Sequence, residues 1–252
     1  MKVYTRGTGR PEYAVTGLVH GDEPAGRRAI EKFLEEDHEF RKPVKFVVAN
    51  EKAAELGERY VDDDLNRVFP GDSGSDSHEK RLASRIMEEV EGLKLLDLHT
   101  TRSYPQPFAT FSNKNEVTED LLRSVGVPNA VHFPDDSGTL NEQVNGLVVE
   151  TGFQGTAMAA ENALGVLKNF LAAQNVIDLE YGRLRPEIFR HFETVEGNWR
   201  FTARNFRKVR EGEIYARKED KVLKAEKDFY PVLMSGNGYS DMLGFKAKKT
   251  DT

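Results

Sequence analysis

The sequence contains no cysteine, and only six of its 252 residues are histidine. The lack of cysteine excludes disulfide bonds, thiolate metal ligands and a cysteine nucleophile. Any metal site in this protein must therefore be built from histidine and carboxylate side chains. Long apolar runs are also missing, because no stretch approaches the roughly 20 residues that a membrane-spanning helix needs.

The composition is typical of a globular protein, with 38% hydrophobic and 31% charged residues. A chain of 252 residues can form one large domain or two small ones. The net charge of −6 argues against nucleic-acid binding. Residues 1–6 lack the apolar core of a signal peptide, so the cytoplasm is the expected location. This composition is compatible with a homo-oligomer but does not fix the oligomeric state.

The hydrophobic periodicity predicts an α/β fold. Strands are predicted at 13–19, 44–49, 93–98, 108–112, 131–133 and 146–150, and helices at 25–36, 50–56, 77–90, 117–125 and 157–173. Such alternation favours parallel βαβ units with helices on both faces of the sheet. Beyond residue 175 the pattern changes to short strand-like runs at 189–195, 213–217, 229–234 and 243–246. We therefore predict a three-layer α/β/α domain at 1–175 and a small β-rich domain at 176–252.

A histidine and a glutamate follow the first of these strands, in the sequence His20-Gly21-Asp22-Glu23. An imidazole and a carboxylate suit a hydrolytic zinc ion that keeps an open coordination position. Gly21 gives the backbone the freedom that would let both side chains converge. Taken alone the pair is weak evidence, because an acid in a first helical turn usually serves the helix dipole.

Two further polar residues stand at predicted strand ends: His99 follows the strand at 93–98, and Glu150 ends the strand at 146–150. In an open parallel sheet, ligands bind at the carboxyl ends of the strands. His20, Glu23 and His99 together make a three-ligand metal site, and Glu150 adds one free carboxylate. This combination is typical of a hydrolytic zinc centre, and it indicates more than any one residue does.

Four motifs carry a family resemblance: His20-Gly21-Asp22-Glu23; residues 59–67, Arg-Tyr-Val-Asp-Asp-Asp-Leu-Asn-Arg, with Phe69; Asp97-Leu98-His99-Thr100; and Glu150. In this order they resemble the succinylglutamate desuccinylase/aspartoacylase family, which is related to the zinc carboxypeptidases. The Asp-Leu-Asn-Arg block is the most specific of them. A weaker similarity, at Tyr230-Pro231-Val232 and Tyr239, is to the segment that supplies a late active-site tyrosine.

The resemblance implies a carboxypeptidase-like fold and one zinc ion per chain, bound by His20, Glu23 and His99. Zinc can lower the pKa of a bound water from ~15.7 to about 7. Glu150 would take the proton of that water and pass it to the departing amine. The remaining implied roles concern the substrate. Arg59 would stabilise the oxyanion, Asn66 and Arg67 would bind a substrate carboxylate, and Tyr239 would close the pocket.

These observations predict a zinc-dependent deacylase that cleaves the amide bond of a small, anionic N-acyl amino acid. Family members that act on acidic N-acyl groups have an additional Tyr and Arg shortly before the catalytic glutamate. Neither residue type occurs between 128 and 149 here, so the acyl group is not determined. Arg102, shortly after His99, is a candidate replacement.

Other interpretations remain open at this stage. The two arginines of the loop could simply stabilise it by pairing with Asp62, Asp63 and Asp64, and Asp64 or Asp97 could orient a ligand histidine. The alternative functions are a metallocarboxypeptidase-like peptide or ester hydrolase and a non-catalytic small-molecule binder. The other histidines have no partner at a useful spacing and are expected at the surface: His38, His78, His132 and His191.

Overall fold

The computed structural model describes residues 1–134, 138–236, 238 and 241–250. Its strands are β1 (Lys2–Arg6), β2 (Tyr13–Gly17), β3 (Val44–Val48), β4 (Lys94–Thr101), β5 (Phe108–Phe111), β6 (Asn129–His132), β7 (Gly146–Phe153), β8 (Glu187–Glu196), β9 (Arg200–Phe201), β10 (Ile214–Lys218), β11 (Lys221–Lys224), β12 (Tyr230–Val232) and β13 (Met242–Lys249). Its helices are α1 (Ala25–Glu35), α2 (Glu51–Leu56), α3 (His78–Val90), α4 (Glu116–Ser124), α5 (Leu140–Gln143) and α6 (Ala157–Ala173), and a short 3₁₀ helix spans Leu65–Arg67.

Ten strands form one large mixed sheet in the order β1-β3-β2-β4-β7-β5-β6-β8-β13-β12. Strands β3, β2, β4 and β7 are parallel, as predicted, whereas β5 runs antiparallel to β7. The chain reaches β5 from β4 through a short loop without a crossover helix, so β5 enters the sheet in the opposite direction. Strands β9, β10 and β11 form a separate antiparallel sheet. The predicted α/β fold with a β-rich carboxyl-terminal part is confirmed, and the large sheet is mixed rather than wholly parallel.

Helices cover both faces of the large sheet, because successive residues of a strand point to opposite faces. On β2, the side chains of Tyr13 and Val15 belong to a core cluster that includes Phe33 of α1 and Phe170 of α6. Ala14, which lies between them in the strand, belongs to a second core cluster on the other face of the sheet, which includes buried residues of α3. The runs of apolar residues in the sequence are therefore strands buried on both faces.

The carboxyl-terminal strands do not all stand apart from the first part of the chain. Strand β8 pairs with β6, β13 pairs with β8, and β12 pairs with β13, so three of these strands extend the large sheet. The division of the chain into domains at 1–175 and 176–252 stays a prediction. Among the residues described, no helix combines the length and apolar character that crossing a membrane requires.

The order of the strands determines where the candidate site lies. Strands β2, β4 and β7 are neighbours, and they carry His20 just beyond β2, His99 within β4 and Glu150 within β7. The sequence prediction placed His99 and Glu150 at strand ends. That detail was wrong, because β4 and β7 continue to pair as far as Thr101 and Phe153, with a register irregularity after His99.

Candidate functional site

Three side chains converge at the edge where β2 and β4 lie side by side. His20, Glu23 and His99 are buried, and one nitrogen or oxygen atom from each lies within 4.8 Å of the others. His20 Nδ1 is 2.8 Å from Glu23 Oε1, and His99 Nδ1 is 3.5 Å from Glu23 Oε2. The rings of the two histidines meet edge to face, with centroids 4.8 Å apart. Both Nδ1 atoms thus face the same carboxylate.

The other ring nitrogen of each histidine is held by a second carboxylate. His20 Nε2 is 3.2 Å from Asp64 Oδ1, and His99 Nε2 is 2.8 Å from Asp97 Oδ2. Asp97 is itself oriented by the hydroxyl of Thr16, which donates a hydrogen bond of 2.5 Å. A carboxylate on the far nitrogen fixes the orientation of an imidazole, as it does for histidines that bind zinc. These are the contacts expected if Asp64 and Asp97 orient the ligand histidines.

The cluster holds opposite charges in a buried place. Burial opposes ionisation of Glu23, but the neighbouring His20 outweighs it and keeps the pKa of Glu23 well below its usual range. Burial also disfavours a charged His99, yet the negative charge of Asp97 raises the pKa of His99 well above its usual range. The pKa of Asp64 is lowered, because its contacts with His20 outweigh its desolvation. The arrangement therefore stabilises carboxylates around a position that attracts a cation.

The donor set and its spacing fit a metal ion. Zinc binds nitrogen and oxygen ligands at ~2.0–2.1 Å in a tetrahedron, so two ligand atoms lie about 3.4 Å apart. The distances from the carboxylate of Glu23 to the Nδ1 atoms of His20 and His99 are 2.8 and 3.5 Å, on either side of that value. Two imidazoles and one carboxylate are also the ligands of hydrolytic zinc sites. This buried cluster could hold a divalent ion with only small side-chain movements.

Glu150 lies beside the cluster. It is the register partner of His99 on the adjacent strand, so the two side chains emerge on the same face of the sheet. Its Oε2 atom is buried and has no hydrogen-bond partner. Burial and the negative charge of Glu23 together raise the pKa of Glu150 to about 8. A carboxyl group in this state can carry a proton at neutral pH.

The guanidinium group of Arg59 reaches the same cluster from the loop before the 3₁₀ helix. It donates to Asp64 Oδ2 at 3.1 Å and to Glu23 Oε1 at 3.2 Å, and it approaches His20 Nε2 at 2.8 Å. The pairing of Arg59 with an aspartate of its own loop is therefore confirmed for Asp64. That pairing also brings the arginine to the candidate metal site.

Asn66 and Arg67 lie on the same cavity as the histidines. The side-chain oxygen of Asn66 accepts a hydrogen bond of 3.0 Å from the backbone N–H of Leu140, which fixes the orientation of its amide. Arg67 donates from Nη1 to the carbonyl oxygen of Asn66 at 2.7 Å. Tyr239, the other residue with a predicted substrate contact, lies outside the described residues.

One cavity of about 760 Å³ is lined by the three candidate metal ligands, by Glu150 and by Arg59, Asn66 and Arg67. Among the described residues, three of its lining side chains have a buried oxygen without a hydrogen-bond partner: Asp22 Oδ1, Thr100 Oγ1 and Glu150 Oε2. Buried polar atoms are nearly always paired in folded proteins. Their concentration in one cavity indicates a site whose polar groups are completed by a ligand.

Arg102 also lines this cavity, but other side chains hold it at the rim. Its Nε donates to the side-chain oxygen of Gln154 at 2.6 Å, and Gln154 in turn donates to Asp22 at 2.6 Å. The side chain of Arg102 is 54% exposed. Whether it replaces the missing acyl-side residues stays open as a prediction.

Two residues around the site were not anticipated from the sequence. Glu79 is fully buried in the first turn of α3, where an acid is normally explained by the helix dipole. His191 was expected at the surface, as were His38, His78 and His132, but all four residues are partly buried. The side chain of His191 lines the cavity and lies against the rings of Phe133 and Phe245. The alternation of residues along β8 could have indicated on which face of the sheet His191 lies, but not that this face lines the cavity.

The role of Gly21 also differs from the expectation. Its backbone is not in the left-handed region, which is instead occupied by Leu18 at φ 62°. A Cβ atom on Gly21 would lie 2.4 Å from the backbone of Ala53 and 2.5 Å from the carbonyl oxygen of Glu58. Glycine is required here because helix α2 passes very close to the loop that carries His20 and Glu23.

Comparison with known proteins places the chain in a family. Residues 10–171 match the model of the succinylglutamate desuccinylase/aspartoacylase catalytic domain. A probable aspartoacylase from Prochlorococcus marinus (strain MIT 9215) is 28% identical over 158 residues, which cover 53% of this chain and 51% of the relative. This chain thus spans about half the length of that curated relative.

Solved structures show the same fold at lower identity. A succinylglutamate desuccinylase/aspartoacylase from Rhodobacter sphaeroides superposes with a TM-score of 0.79 at 18% identity, covering 99% of this chain and 89% of that one. Murine aminoacylase 3 superposes with a TM-score of 0.71 at 19% identity, covering 96% and 97%. Taken with the match over residues 10–171, this means that the chain belongs to the succinylglutamate desuccinylase/aspartoacylase family.

Proposed function

We propose that this protein is a zinc-dependent deacylase that hydrolyses the amide bond of a small N-acyl amino acid. The observation that carries the proposal is the arrangement of His20, Glu23 and His99. Both histidines present Nδ1 to the carboxylate of Glu23, and aspartates hold both Nε2 atoms. The activities of the family, deacylation and desuccinylation, support a hydrolase.

The residues of the chain divide the chemistry among them. His20, Glu23 and His99 would hold one zinc ion, which when bound supplies an activated water and polarises the amide carbonyl. Glu150, with its unpartnered buried oxygen, would take a proton from the attacking water. It would then return that proton to the amine nitrogen as the C–N bond breaks.

The arginines would supply positive charge where the reaction needs it. Arg59, beside Glu23, would stabilise the oxyanion that forms on the carbonyl oxygen. Arg67 and Asn66 would bind a substrate carboxylate, for which a planar guanidinium offers two parallel donors. Tyr239 closing the pocket, a cytoplasmic location and assembly into a homo-oligomer stay predictions.

Metal content and turnover of two matched variants test this function. Glu150→Gln should retain about one zinc ion per chain and lose hydrolysis of N-acyl amino acids by at least ~100-fold, the scale of a lost general base. Glu161→Gln, an exposed position of α6, is the control and should match the wild type. A wild-type protein that binds zinc but hydrolyses no acetyl, succinyl, formyl or benzoyl amino acid would be a binder. Full activity in Glu150→Gln would refute the assigned base.

A further inference from the structure

One end of the cavity is built from aromatic and apolar side chains. This aromatic end consists of Phe133, His191, Leu233, Met242 and Phe245. Three of its rings form a triangle: the His191 centroid is 5.3 Å from that of Phe133 and 5.2 Å from that of Phe245, and the two phenylalanine centroids are 5.0 Å apart. Two residues of the aromatic end, Phe133 and Leu233, also belong to a buried core cluster that contains Phe108, Phe189 and Phe206. The wall is therefore firmly supported.

The aromatic end and the candidate metal site lie at different strands of the large sheet. Strands β2 and β4 carry the metal cluster, and Glu150 stands on β7. Beyond β7 come β5, β6, β8 and β13, which bring Thr110, Phe133, His191 and Phe245 in turn to the cavity. Both sets of residues line one cavity, so a substrate that is long enough to extend past Glu150 would meet this wall.

The distribution of charge in the cavity is uneven. The arginines among its described lining residues come from the loop at 59–67 and from position 102. From Thr110 onward, the described lining residues include no lysine or arginine, and His191 is the only basic side chain. The described part of the aromatic end thus offers a second substrate carboxylate no lysine or arginine, and only the imidazole of His191.

We infer that the substrate carries an uncharged apolar or aromatic group, which lies against Phe133 and Phe245 at the aromatic end. This inference rests on the proposed deacylase function and specifies its substrate class. An aromatic ring there would bury apolar surface against a wall of aromatic side chains. A carboxylate in the same place would lose its hydration with no lysine or arginine to pair with it. The group can belong to the acyl half or to the amino-acid half of the substrate.

Five substrates test the inference and distinguish the two halves. N-acetylglycine is the reference, N-benzoylglycine and N-acetylphenylalanine place a ring on the acyl or the amine side, and N-succinylglycine and N-acetylaspartate place a carboxylate there. At least one aromatic substrate should exceed the reference in kcat/KM by ~10-fold or more, the scale of filling a hydrophobic pocket. Both acidic substrates should fall below the reference. Acidic substrates better than both aromatic ones would overturn the inference and leave the deacylase proposal intact.

Binding to the zinc-loaded protein distinguishes the failure of one proposal from the failure of the other. If none of the five compounds is hydrolysed, the deacylase function fails. Thermal stabilisation by the aromatic compounds but not by the acidic ones would still support the aromatic end as a binding site. Stabilisation by the acidic compounds alone, or by none of the five, would overturn it.

A charge placed on the wall gives an independent test. Thr194 is exposed, lines the cavity and is the cross-strand partner of Phe245. Thr194→Arg should therefore shift the ratio of kcat/KM from aromatic toward acidic substrates by ~10-fold or more, because it supplies the missing cation. Thr194→Gln, long and polar but uncharged, is the matched control and should not favour the acidic substrates. An unchanged ratio in Thr194→Arg would place the variable group elsewhere.

Discussion

The buried carboxylate of Glu79 accepts a hydrogen bond of 2.8 Å from the backbone N–H of Val61, and so helix α3 fixes the loop that carries Arg59. The same carboxylate accepts bonds from the backbone N–H groups of Asp62 and Asp63 and from the side chain of Asn50. One acid thus satisfies three consecutive backbone donors of the loop. We expect this anchor to help position Arg59 beside the candidate metal cluster.

We expect Glu79→Gln to destabilise the fold and to misplace the loop. Glutamine keeps one acceptor oxygen but replaces the other by an NH₂ group, whose hydrogens would face backbone N–H donors. The donors left without an acceptor should cost about 2–3 kcal/mol in the free energy of unfolding. kcat should fall more than zinc content, because the loop carries Arg59 and not the metal ligands. Glu88→Gln, exposed on the same helix, is the control for chemical denaturation and kinetics. A Glu79→Gln enzyme with normal kcat would show that Glu79 serves stability alone.

The effect of Glu79 should depend on pH. Burial alone would raise the pKa of Glu79, but the hydrogen bond from Val61 and the other donors outweigh it and lower the pKa below the ordinary value of 4.5. A lowered pKa stabilises the fold above 4.5, and this stabilisation is lost as the pH falls through the pKa of the folded state. The difference in unfolding free energy between wild type and Glu79→Gln should therefore be constant near neutral pH and narrow below about pH 4.5.

Asp97→Asn should weaken metal binding without changing a ligand. Asp97 accepts a hydrogen bond from His99 Nε2 at 2.8 Å and so fixes which nitrogen faces the metal. Removing such a carboxylate typically lowers metal affinity by roughly 10–100-fold, and we expect a loss of zinc affinity of this size. Competition with a chromophoric chelator measures it. Asp37→Asn, at an exposed position, should bind zinc like the wild type. Equal affinity in both variants would refute the orienting role.

Zinc uptake should release protons. The pKa of His99 is raised well above its usual range, since the charges of Asp97 and Glu23 outweigh its burial, so we expect the metal-free protein to carry a proton there at neutral pH. A histidine must lose that proton to bind a metal, and the apparent zinc affinity should therefore rise with pH by about tenfold per unit. Calorimetry in buffers of different ionisation enthalpy should detect about one proton or more released per zinc at pH 7. An affinity that does not change between pH 6 and 7.5 would contradict this prediction.

Gly21→Ala and Gly165→Ala should have opposite effects. A Cβ at Gly21 would fall 2.4 Å from the backbone of Ala53, so alanine must displace helix α2 or the loop of the metal ligands. We expect a loss of about 1–3 kcal/mol in stability, together with weaker zinc binding. A Cβ at Gly165, inside helix α6, would meet nothing within 4 Å. Alanine there should stabilise the protein by about 0.5–1 kcal/mol. Thermal denaturation of both variants checks the pair.

The sequence was sufficient to predict that His20, Glu23 and His99 lie together, because they stand at recognisable positions. His20 and His99 follow or end apolar runs that read as buried strands, and parallel neighbours bring such positions to one edge. The same reasoning placed Glu150 beside them. It could not foresee that β8, β12 and β13 would extend the large sheet, because strand pairing across a long chain leaves no local signal.

Residue types and spacing alone determined the α/β fold, the absence of thiol chemistry and the set of candidate ligands. Only the tertiary structure decided what surrounds them. Glu79 looks like an ordinary first-turn acid until three backbone donors meet it, and His191 looks like a surface residue until two phenylalanine rings enclose it. Both roles arise from contacts between distant segments, which burial and sheet order create and which no local pattern records.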